Sequence, residues 1–178
     1  MIFNTRKRDF RSRLLPLILS AGIIVLDQVA KLIVIAAVPR GGGVKVIGDF
    51  FRIIHVQNPA IAFSIGHAIA AGPRRTLFIF LPLVVITLLF LYYIFTRDPL
   101  TRFQKWCFGA LVGGGLGNYV DRIFRPAGVV DFLDFKFYGI LGLERWPTFN
   151  VADMTLVITG ILLFISFLIP TRPIEEKT

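Results

Sequence analysis

The chain has 178 residues and a formal net charge of +9 at pH 7, with 55% hydrophobic and only 17% charged residues. A water-soluble protein of this length could not bury so much apolar surface, so the composition excludes an ordinary soluble domain. Basic residues flank apolar segments without interleaved aromatics, which indicates membrane lipids as partners and excludes nucleic acid. The single cysteine, Cys107, excludes an internal disulfide and a multi-cysteine metal site.

Four apolar segments approach the roughly 20 residues that a membrane span needs. They cover about residues 14–38, 76–95, 103–120 and 151–169. The first follows basic residues, as the apolar part of a signal peptide would, but it is too long and lacks a clear cleavage site. We therefore expect a retained span. The predicted fold class is mainly α, a polytopic membrane protein with four transmembrane helices, and residues 1–178 form one domain.

The positions of Lys and Arg predict the orientation of the spans. A dense basic cluster precedes the first span, and further basic residues lie between spans two and three and after span four. We therefore expect both termini in the cytoplasm and the loops 39–75 and 123–150 outside. Residues 44–63 are rich in β-branched and aromatic residues, which predicts a small extracytoplasmic β-rich subdomain between spans one and two. The N-terminal cluster consists of Arg6, Lys7, Arg8, Arg11 and Arg13.

Ionisable residues within a span are energetically costly, so they are candidate functional residues. At about 1.5 Å per residue, Asp27 lies in the outer half of the first span, and Lys31 follows one turn later on the same face. The third span ends outside and the fourth begins there, so their polar ends reach the same layer. We expect the following residues to converge at the outer membrane face: Asp27, Lys31, Asn118, Asp121, Arg122, Asp131, Asn150 and Asp153.

A pair of aspartates at a membrane boundary suggests hydrolysis of a peptide bond. One carboxylate acts as a general base on water, while the other, protonated, donates to the scissile carbonyl. Two nearby carboxylates separate their proton affinities because both cannot easily be ionised together. This chemistry requires neither a metal nor a cofactor. Which aspartate holds the proton stays open at this point.

The residues of the first and third spans also have a structural interpretation. Asp27 and Lys31 can form an ion pair at i and i+4, and we expect this role for them in preference to chemistry. Arg122, next to Asp121, can hold a carbonyl or carboxylate of a loop in place. These four residues are therefore expected to support the site.

For the remaining acidic residues, a structural role is harder to distinguish from a functional one. Asn150 and Asp153 fit an N-cap followed by an acidic third helical residue, which would explain Asp153 without any chemistry. Asp131 lies between Val130 and Phe132 and has no cationic residue within helical reach. It is the carboxylate with the weakest structural explanation, although Asp134, three residues later, competes with it.

Other chemistries fit the sequence less well. Ser64 has His55 and His67 nearby but lacks the pattern of a nucleophile elbow. The chain contains no HExxH motif, and two histidines twelve residues apart make a poor zinc site. The glycine-rich stretch 113–117 lacks the Gly-Lys-Ser/Thr ending of a phosphate-binding loop, and close helix packing in a membrane explains it.

The motifs and their order resemble those of the lipoprotein signal peptidases (signal peptidase II), a family of bacterial aspartic membrane peptidases. The resemblance covers nearly the whole chain. Each motif is weak alone, but the ordered set at the expected membrane depths is specific. The matching motifs are Asp27-Gln28-x-x-Lys31, Gly113-Gly114-x-x-Gly117-Asn118-x-x-Asp121-Arg122, Val130-Asp131-Phe132 and Phe149-Asn150-x-Ala152-Asp153.

The resemblance implies an aspartic endopeptidase of the bacterial plasma (inner) membrane, with its active site at the outer face. Its substrates would be diacylglyceryl-modified prolipoproteins, from which it removes the signal peptide by cleaving just before the lipidated cysteine. The resemblance also implies a monomer without a cofactor, and Asp131 and Asp153 as the catalytic residues. Supporting or substrate-binding roles fall to Asp27, Lys31, Asn58, Asn118, Asp121, Arg122 and Asn150.

One motif departs from the family pattern. Its outer-loop motif usually reads Asn-x-Gly-Ala-Ala-Phe, whereas this chain has Asn58-Pro59-Ala60 followed by Ile-Ala-Phe. Ala60 lacks the access of glycine to positive φ, and Pro59 stiffens the turn. We expect the role of Asn58 to be retained along an altered loop path.

Two other functional classes remain as alternatives. An ion or proton transporter also uses carboxylates and a lysine within the membrane. Here the acidic groups cluster at one face and the second span has no polar relay group, which disfavours transport. The third class is a protein that binds lipid or signal peptide without cleaving it.

Overall fold

A computed structural model of the chain describes residues 13–59, 71–96 and 99–169. It is mainly α-helical with a small antiparallel sheet, which confirms that part of the predicted fold class. The helices are α1 (Pro16–Ala37), α2 (Ala71–Phe95), α3 (Arg102–Phe124) and α4 (Val151–Leu168). The strands are β1 (Gly43–Ile47), β2 (Phe51–Asn58) and β3 (Val129–Phe135), and a short 3-10 helix covers Ile140–Gly142.

Within the described residues, two helices are long and apolar enough to cross a membrane, namely α1 and α4. The apolar stretch of α2, Ile79–Phe95, is shorter. Helix α3 is long but combines five glycines with polar residues at its C-terminal end, and these lower its mean hydropathy. Length and hydropathy therefore support two of the four spans predicted from the sequence.

Helix α3 lies at the centre of the helices because its glycines allow close approach on several sides. A Cβ atom at Gly113 would lie 2.8 Å from Ser20 Cα of α1. A Cβ atom at Gly114 would lie 2.9 Å from the carbonyl oxygen of Ala152 in α4. One at Gly115 would lie 2.8 Å from the side chain of Ile86 in α2. The predicted packing role of this glycine run is thus realised against three helices.

Polar caps fix the ends of the helices. Thr101 and Gln104 form a capping box at the start of α3, and Asn150 and Asp153 form one at the start of α4. At the end of α2, the buried guanidinium of Arg13 donates to the carbonyl oxygens of Tyr93, Ile94 and Thr96. The other four residues of the N-terminal basic cluster lie outside the described residues.

The sheet has the strand order β1-β2-β3, with both pairs antiparallel. Its third strand comes from the loop between α3 and α4, so the prediction of a β-rich subdomain built only between spans one and two is wrong in this respect. Strand β2 would otherwise present an unpaired edge of backbone groups, and β3 pairs with it. In this register Val56 lies opposite Asp131 and Asn58 opposite Val129. The sheet thereby joins the loop between α1 and α2 to the loop between α3 and α4, and it places Asn58 next to the strand that carries Asp131.

Candidate functional site

Lys31 lies at the centre of a buried ion cluster between α1 and α3. Its Nζ is 2.7 Å from Asp27 Oδ2 and 3.0 Å from Asp121 Oδ2, and all three side chains are fully buried. The same Nζ donates to Asn118 Oδ1 at 3.0 Å. Asp27 Oδ1 also accepts from the backbone N–H of Ala152 at 3.0 Å. The expected pair at i and i+4 is therefore present, and it joins α1, α3 and α4.

Two asparagines connect this cluster to two further aspartates. Asn150 Nδ2 donates to Asp131 Oδ1 at 2.8 Å and to Asn118 Oδ1 at 3.0 Å. Asn118 Nδ2 donates to Asp153 Oδ1 at 2.6 Å. Because Asn118 Oδ1 accepts a hydrogen bond from Lys31, the atom of Asn118 that faces Asp153 is its amide nitrogen, which can only donate. The carboxylates of Asp131 and Asp153 are thus connected through two amides, Asn150 and Asn118, that are hydrogen-bonded to each other.

Asp153 also belongs to the cap of α4. Its backbone N–H donates to Asn150 Oδ1 at 2.9 Å, and its Oδ2 accepts from the backbone N–H of Asn150 at 3.3 Å. The helix-cap interpretation of Asp153 is therefore confirmed, and it is compatible with a role of the same carboxylate in the site. The cap fixes its carboxylate at the position where Asn118 contacts it.

Asp131 is held in β3 beside the end of β2. Asn58 Nδ2 donates to its Oδ2 at 3.2 Å, and only 4% of the residue is exposed. Burial and, second, the negative charge of Asp153 together raise the pKa of Asp131 to about 7, against the lowering effect of the hydrogen bonds from Asn58 and Asn150. This carboxyl therefore keeps a proton to near-neutral pH.

Asp131 and Asp153 open on one cavity of about 730 Å³. Asn58, Asn118 and Arg122 also belong to its polar lining, together with Gln57 and Thr148. The remainder of the lining is apolar. It lies mainly along the first two turns of α4 and the segment before it, with Val56, Pro59 and Val129 near the adjoining ends of β2 and β3. Such a cavity can hold an extended peptide segment at its polar end with apolar material along α4. The apolar lining includes Trp146, Phe149, Met154, Leu156, Val157 and Ile158.

Asp134 does not compete with Asp131 for this cavity. It lies on the same strand but forms ion pairs with Arg52 at 2.6 Å and Arg145 at 3.3 Å. It is therefore a buried structural carboxylate of the sheet. The two arginines explain why this carboxylate is buried, and sequence spacing alone could not identify them as its partners.

His55 is also structural. Its ring Nδ1 lies 2.9 Å from the carbonyl oxygen of Val38, and the residue is buried in β2. Ser64 and His67, considered with it above, lie outside the described residues. So does Ala60 of the altered outer-loop motif, whereas Asn58 and Pro59 are described.

Gln28 and Arg125 are site-supporting residues that the sequence analysis did not select. Gln28 Nε2 donates to the carbonyl oxygen of Gly117 at 3.0 Å and to Asp121 Oδ1 at 2.9 Å, and its Oε1 accepts from Arg125 at 3.0 Å. Arg125 also pairs directly with Asp121. Asp121 Oδ2 in turn accepts from the backbone N–H of Val130 at 3.0 Å, next to Asp131. The i, i+4 spacing of Asp121 and Arg125 was the available sequence signal.

Among the described residues, Arg125 and not Arg122 pairs with Asp121, the residue that holds the backbone N–H of Val130. Arg122 instead lines the cavity, where its charge acts on Asp131 and Asp153. The two arginines are three positions apart on successive turns, and only one of them faces the buried Asp121.

We expect Arg125→Ala to lower the free energy of unfolding by about 1–3 kcal/mol, because it removes a charged partner of the buried Asp121. Arg122→Ala serves as the matched control and should change stability much less. Thermal unfolding of the two purified variants in the same detergent measures the difference. Equal melting temperatures for both variants would contradict the assignment of Arg125.

Comparison with known proteins adds independent information. A family model described as signal peptidase (SPase) II matches residues 19–169. The chain is 44% identical to the lipoprotein signal peptidase of Treponema pallidum (strain Nichols), over 94% of this chain and 90% of that protein. It is 42% identical to that of Treponema denticola, over 96% and 95% of the respective chains.

A solved structure has a similar fold. It is a bacterial membrane enzyme determined by the in meso method at 2.3 Å resolution, with a TM-score of 0.73 and 28% sequence identity. The similarity covers 92% of this chain and 93% of the other. A second bacterial membrane enzyme structure, determined in the same way at 1.9 Å, also has a TM-score of 0.73, with 29% identity.

Proposed function

This chain belongs to the signal peptidase II family, and from that membership we propose that it is an aspartic endopeptidase of the bacterial inner membrane. It removes the signal peptide from prolipoproteins. The substrates are diacylglyceryl-modified, and cleavage falls just before the lipidated cysteine. The observation that carries the proposal is that Asp131 and Asp153 open on one cavity and are joined through Asn118 and Asn150.

In the proposed reaction, Asp131 is the acid and Asp153 is the base. Asp131 is the more deeply buried of the two, and its pKa of about 7 keeps its proton available near neutral pH. Asp153 accepts a proton from a water molecule, which attacks the scissile carbonyl carbon while Asp131 donates its proton to the carbonyl oxygen. The tetrahedral intermediate then loses the amine of the cysteine, which takes up the proton held by Asp153. Asp131 regains its proton from a hydroxyl of the intermediate, which becomes the new carboxylic acid. The C–N bond breaks and one water is consumed.

The neighbouring polar residues hold this pair in position. Asn150 and Asn58 orient the Asp131 carboxyl through its two oxygens, and Asn118 orients Asp153. Lys31 donates to the amide oxygen of Asn118 and so fixes the orientation of that amide. Arg122, at the cavity wall, is placed to bind a carbonyl of the substrate backbone. Asp27 and Asp121 stabilise Lys31.

We further propose four spans, with both termini in the cytoplasm and the site at the outer face. Helices α1 and α4 have the length and hydropathy of spans, and α2 and α3 are joined by the short segment 96–101. Because α3 packs between the others, its polar outer end faces protein and not lipid. Membrane lipids then cover the exposed apolar sides of the helices, and the site is complete within one copy.

The proposed function is tested by incubating the purified protein in detergent with a diacylglyceryl-modified prolipoprotein and with the same precursor lacking the diacylglyceryl group. We expect cleavage of the modified precursor just before its cysteine, identified by the masses of both products. Absence of cleavage would favour the transporter or the non-catalytic binding protein. Equal cleavage of both precursors would contradict the proposed substrate class.

The cleavage rate should fall as the pH rises through about 7, because the pKa of Asp131 lies there and the reaction needs its proton. A rate that is unchanged from pH 6 to pH 9 would contradict Asp131 as the acid. The measurement is kcat/KM for the modified precursor across this range, in buffers of constant ionic strength.

The same pKa predicts an effect on stability. The folded protein retains the Asp131 proton up to about pH 7, whereas the unfolded chain releases it near the ordinary value of 3.8. The contribution of the Asp131 proton to the free energy of unfolding is therefore complete below about pH 4 and is lost as the pH rises to about 7. Asp131→Asn removes this loss, so its melting temperature should rise relative to the parent between pH 4 and pH 8. A constant difference would contradict the raised pKa.

A further inference from the structure

The segment after β3 forms a hairpin over residues 136–145 that is firmly attached at its base. Lys136 and Arg145 lie opposite each other, and the backbone N–H of Phe137 donates to the carbonyl oxygen of Glu144 at 2.9 Å. Both basic side chains bind Asp49 in the turn between β1 and β2. The base of the hairpin is therefore polar and fixed to the rest of the sheet.

The tip of the hairpin is apolar and strongly exposed. Tyr138, Ile140 and Leu141 are 62%, 59% and 82% exposed. Tyr138 and Leu141 have positive φ values of 52° and 57°, a backbone region that non-glycine residues rarely adopt. Folding thus presents three large apolar side chains outwards at the end of a strained turn. An apolar partner that covers them would explain both features.

The direction of the sheet shows where this tip lies relative to the helices. Ile53 and Leu133, in the middle of β2 and β3, pack against the buried cluster at the end of α1, which consists of Val34, Val38 and Phe132. The site end of the same strands contacts the start of α4, where Asn150 binds Asp131. About 17 Å of strand separates Ile53 from Asn58, yet both ends stay beside the same ends of the helices. The strands therefore run across these helix ends and do not project away from them.

We propose that this tip, residues 138–141, inserts into the lipid–water interface of the outer leaflet next to α1. The apolar tip would share this interface with the exposed apolar surface of α1, where Leu32 and Ile33 are more than half exposed. The polar base, with Lys136 and Arg145, lies at the level of the lipid headgroups. The inference rests on the proposed orientation of the spans but not on the cleavage chemistry. It gives the sheet, and with it Asp131, a second attachment to the membrane.

The test uses an environment-sensitive fluorophore, NBD, on a cysteine introduced by Leu141→Cys. Glu144→Cys is the matched control, since Glu144 lies on the same hairpin and its side chain is 72% exposed. The native Cys107 is buried, and the parent protein treated with the same reagent gives the background. The protein is placed in nanodiscs of phosphatidylcholine with a minority of phosphatidylglycerol, one copy per disc.

We expect iodide in the water to quench the label at position 141 about fivefold less than the label at position 144. A spin label near the headgroup of the lipid should quench position 141 more strongly. Equal quenching by iodide at both positions would overturn the proposal. Protection that appears only with two copies per disc would assign the tip to a contact between copies and would overturn it as well. The readout is fluorescence, so it does not depend on whether the proposed peptidase activity is present.

Discussion

Asp131→Asn and Asp153→Asn are each expected to lower the cleavage rate by about 10³–10⁴-fold, while the folded protein persists. Asparagine has nearly the same shape as aspartate, so the hydrogen bond from Asn150 to position 131 can remain. What it removes is the ability to donate or accept the proton of the reaction. The measurement is cleavage of the diacylglyceryl-modified precursor under single-turnover conditions, where binding and product release do not mask the chemical step.

Asp134→Asn is the control for this prediction. Asp134 is a buried aspartate of the same strand, but its carboxylate binds Arg52 and Arg145 outside the cavity. Its substitution should lower the melting temperature and leave the cleavage rate of the folded protein within a few-fold of the parent. A large loss of rate in the folded Asp134 variant, together with an active Asp131 variant, would reverse the assignment of the two aspartates.

Lys31→Met is expected to destabilise the protein by about 3–5 kcal/mol, the largest stability effect of any substitution considered for this chain. Lys31 is the cation of a fully buried cluster, and its removal leaves Asp27 and Asp121 close together in an apolar environment. It also removes the hydrogen bond that orients Asn118. Unfolding in mixed micelles with increasing sodium dodecyl sulfate measures the loss.

Asp27→Asn provides the comparison within the same cluster. Asp121 remains as a counter-ion for Lys31, and the new amide oxygen can still accept from the backbone N–H of Ala152. We therefore expect a smaller loss, about 1–2 kcal/mol. If Asp27→Asn destabilised the protein as strongly as Lys31→Met, the lysine would not be the central charge of the cluster.

Sequence periodicity was sufficient to predict contacts within one helix. The i, i+4 spacing of Asp27 and Lys31 and the N-cap pattern of Asn150 and Asp153 each predicted a contact that the structure contains. The glycine run of α3 likewise predicted close packing, because only a missing side chain permits the approach that Gly113 makes to α1. These features depend on local geometry, which the order of residues determines.

Contacts between distant segments could not be derived in this way. The pairing of β3 with β2 joins residues of two loops that are more than 70 positions apart in the chain, so the predicted sheet was confined to one loop. The same holds for Asp134, whose partner Arg52 is distant in sequence. The family motif contains Arg122 and not Arg125, whereas the partner of the buried Asp121 is decided by the helical face, on which Arg125 lies.

The central claim is that Asp131 and Asp153 act together on one water molecule. An experimental structure with a substrate-like peptide whose scissile carbonyl is replaced by a hydroxyl-bearing tetrahedral carbon tests it most directly. We predict that this hydroxyl lies within about 3.2 Å of an oxygen of each carboxylate, with the peptide in the cavity along α4. A hydroxyl bound by only one of the two, with the other carboxylate turned away and closed off by its own hydrogen bonds, would contradict the account.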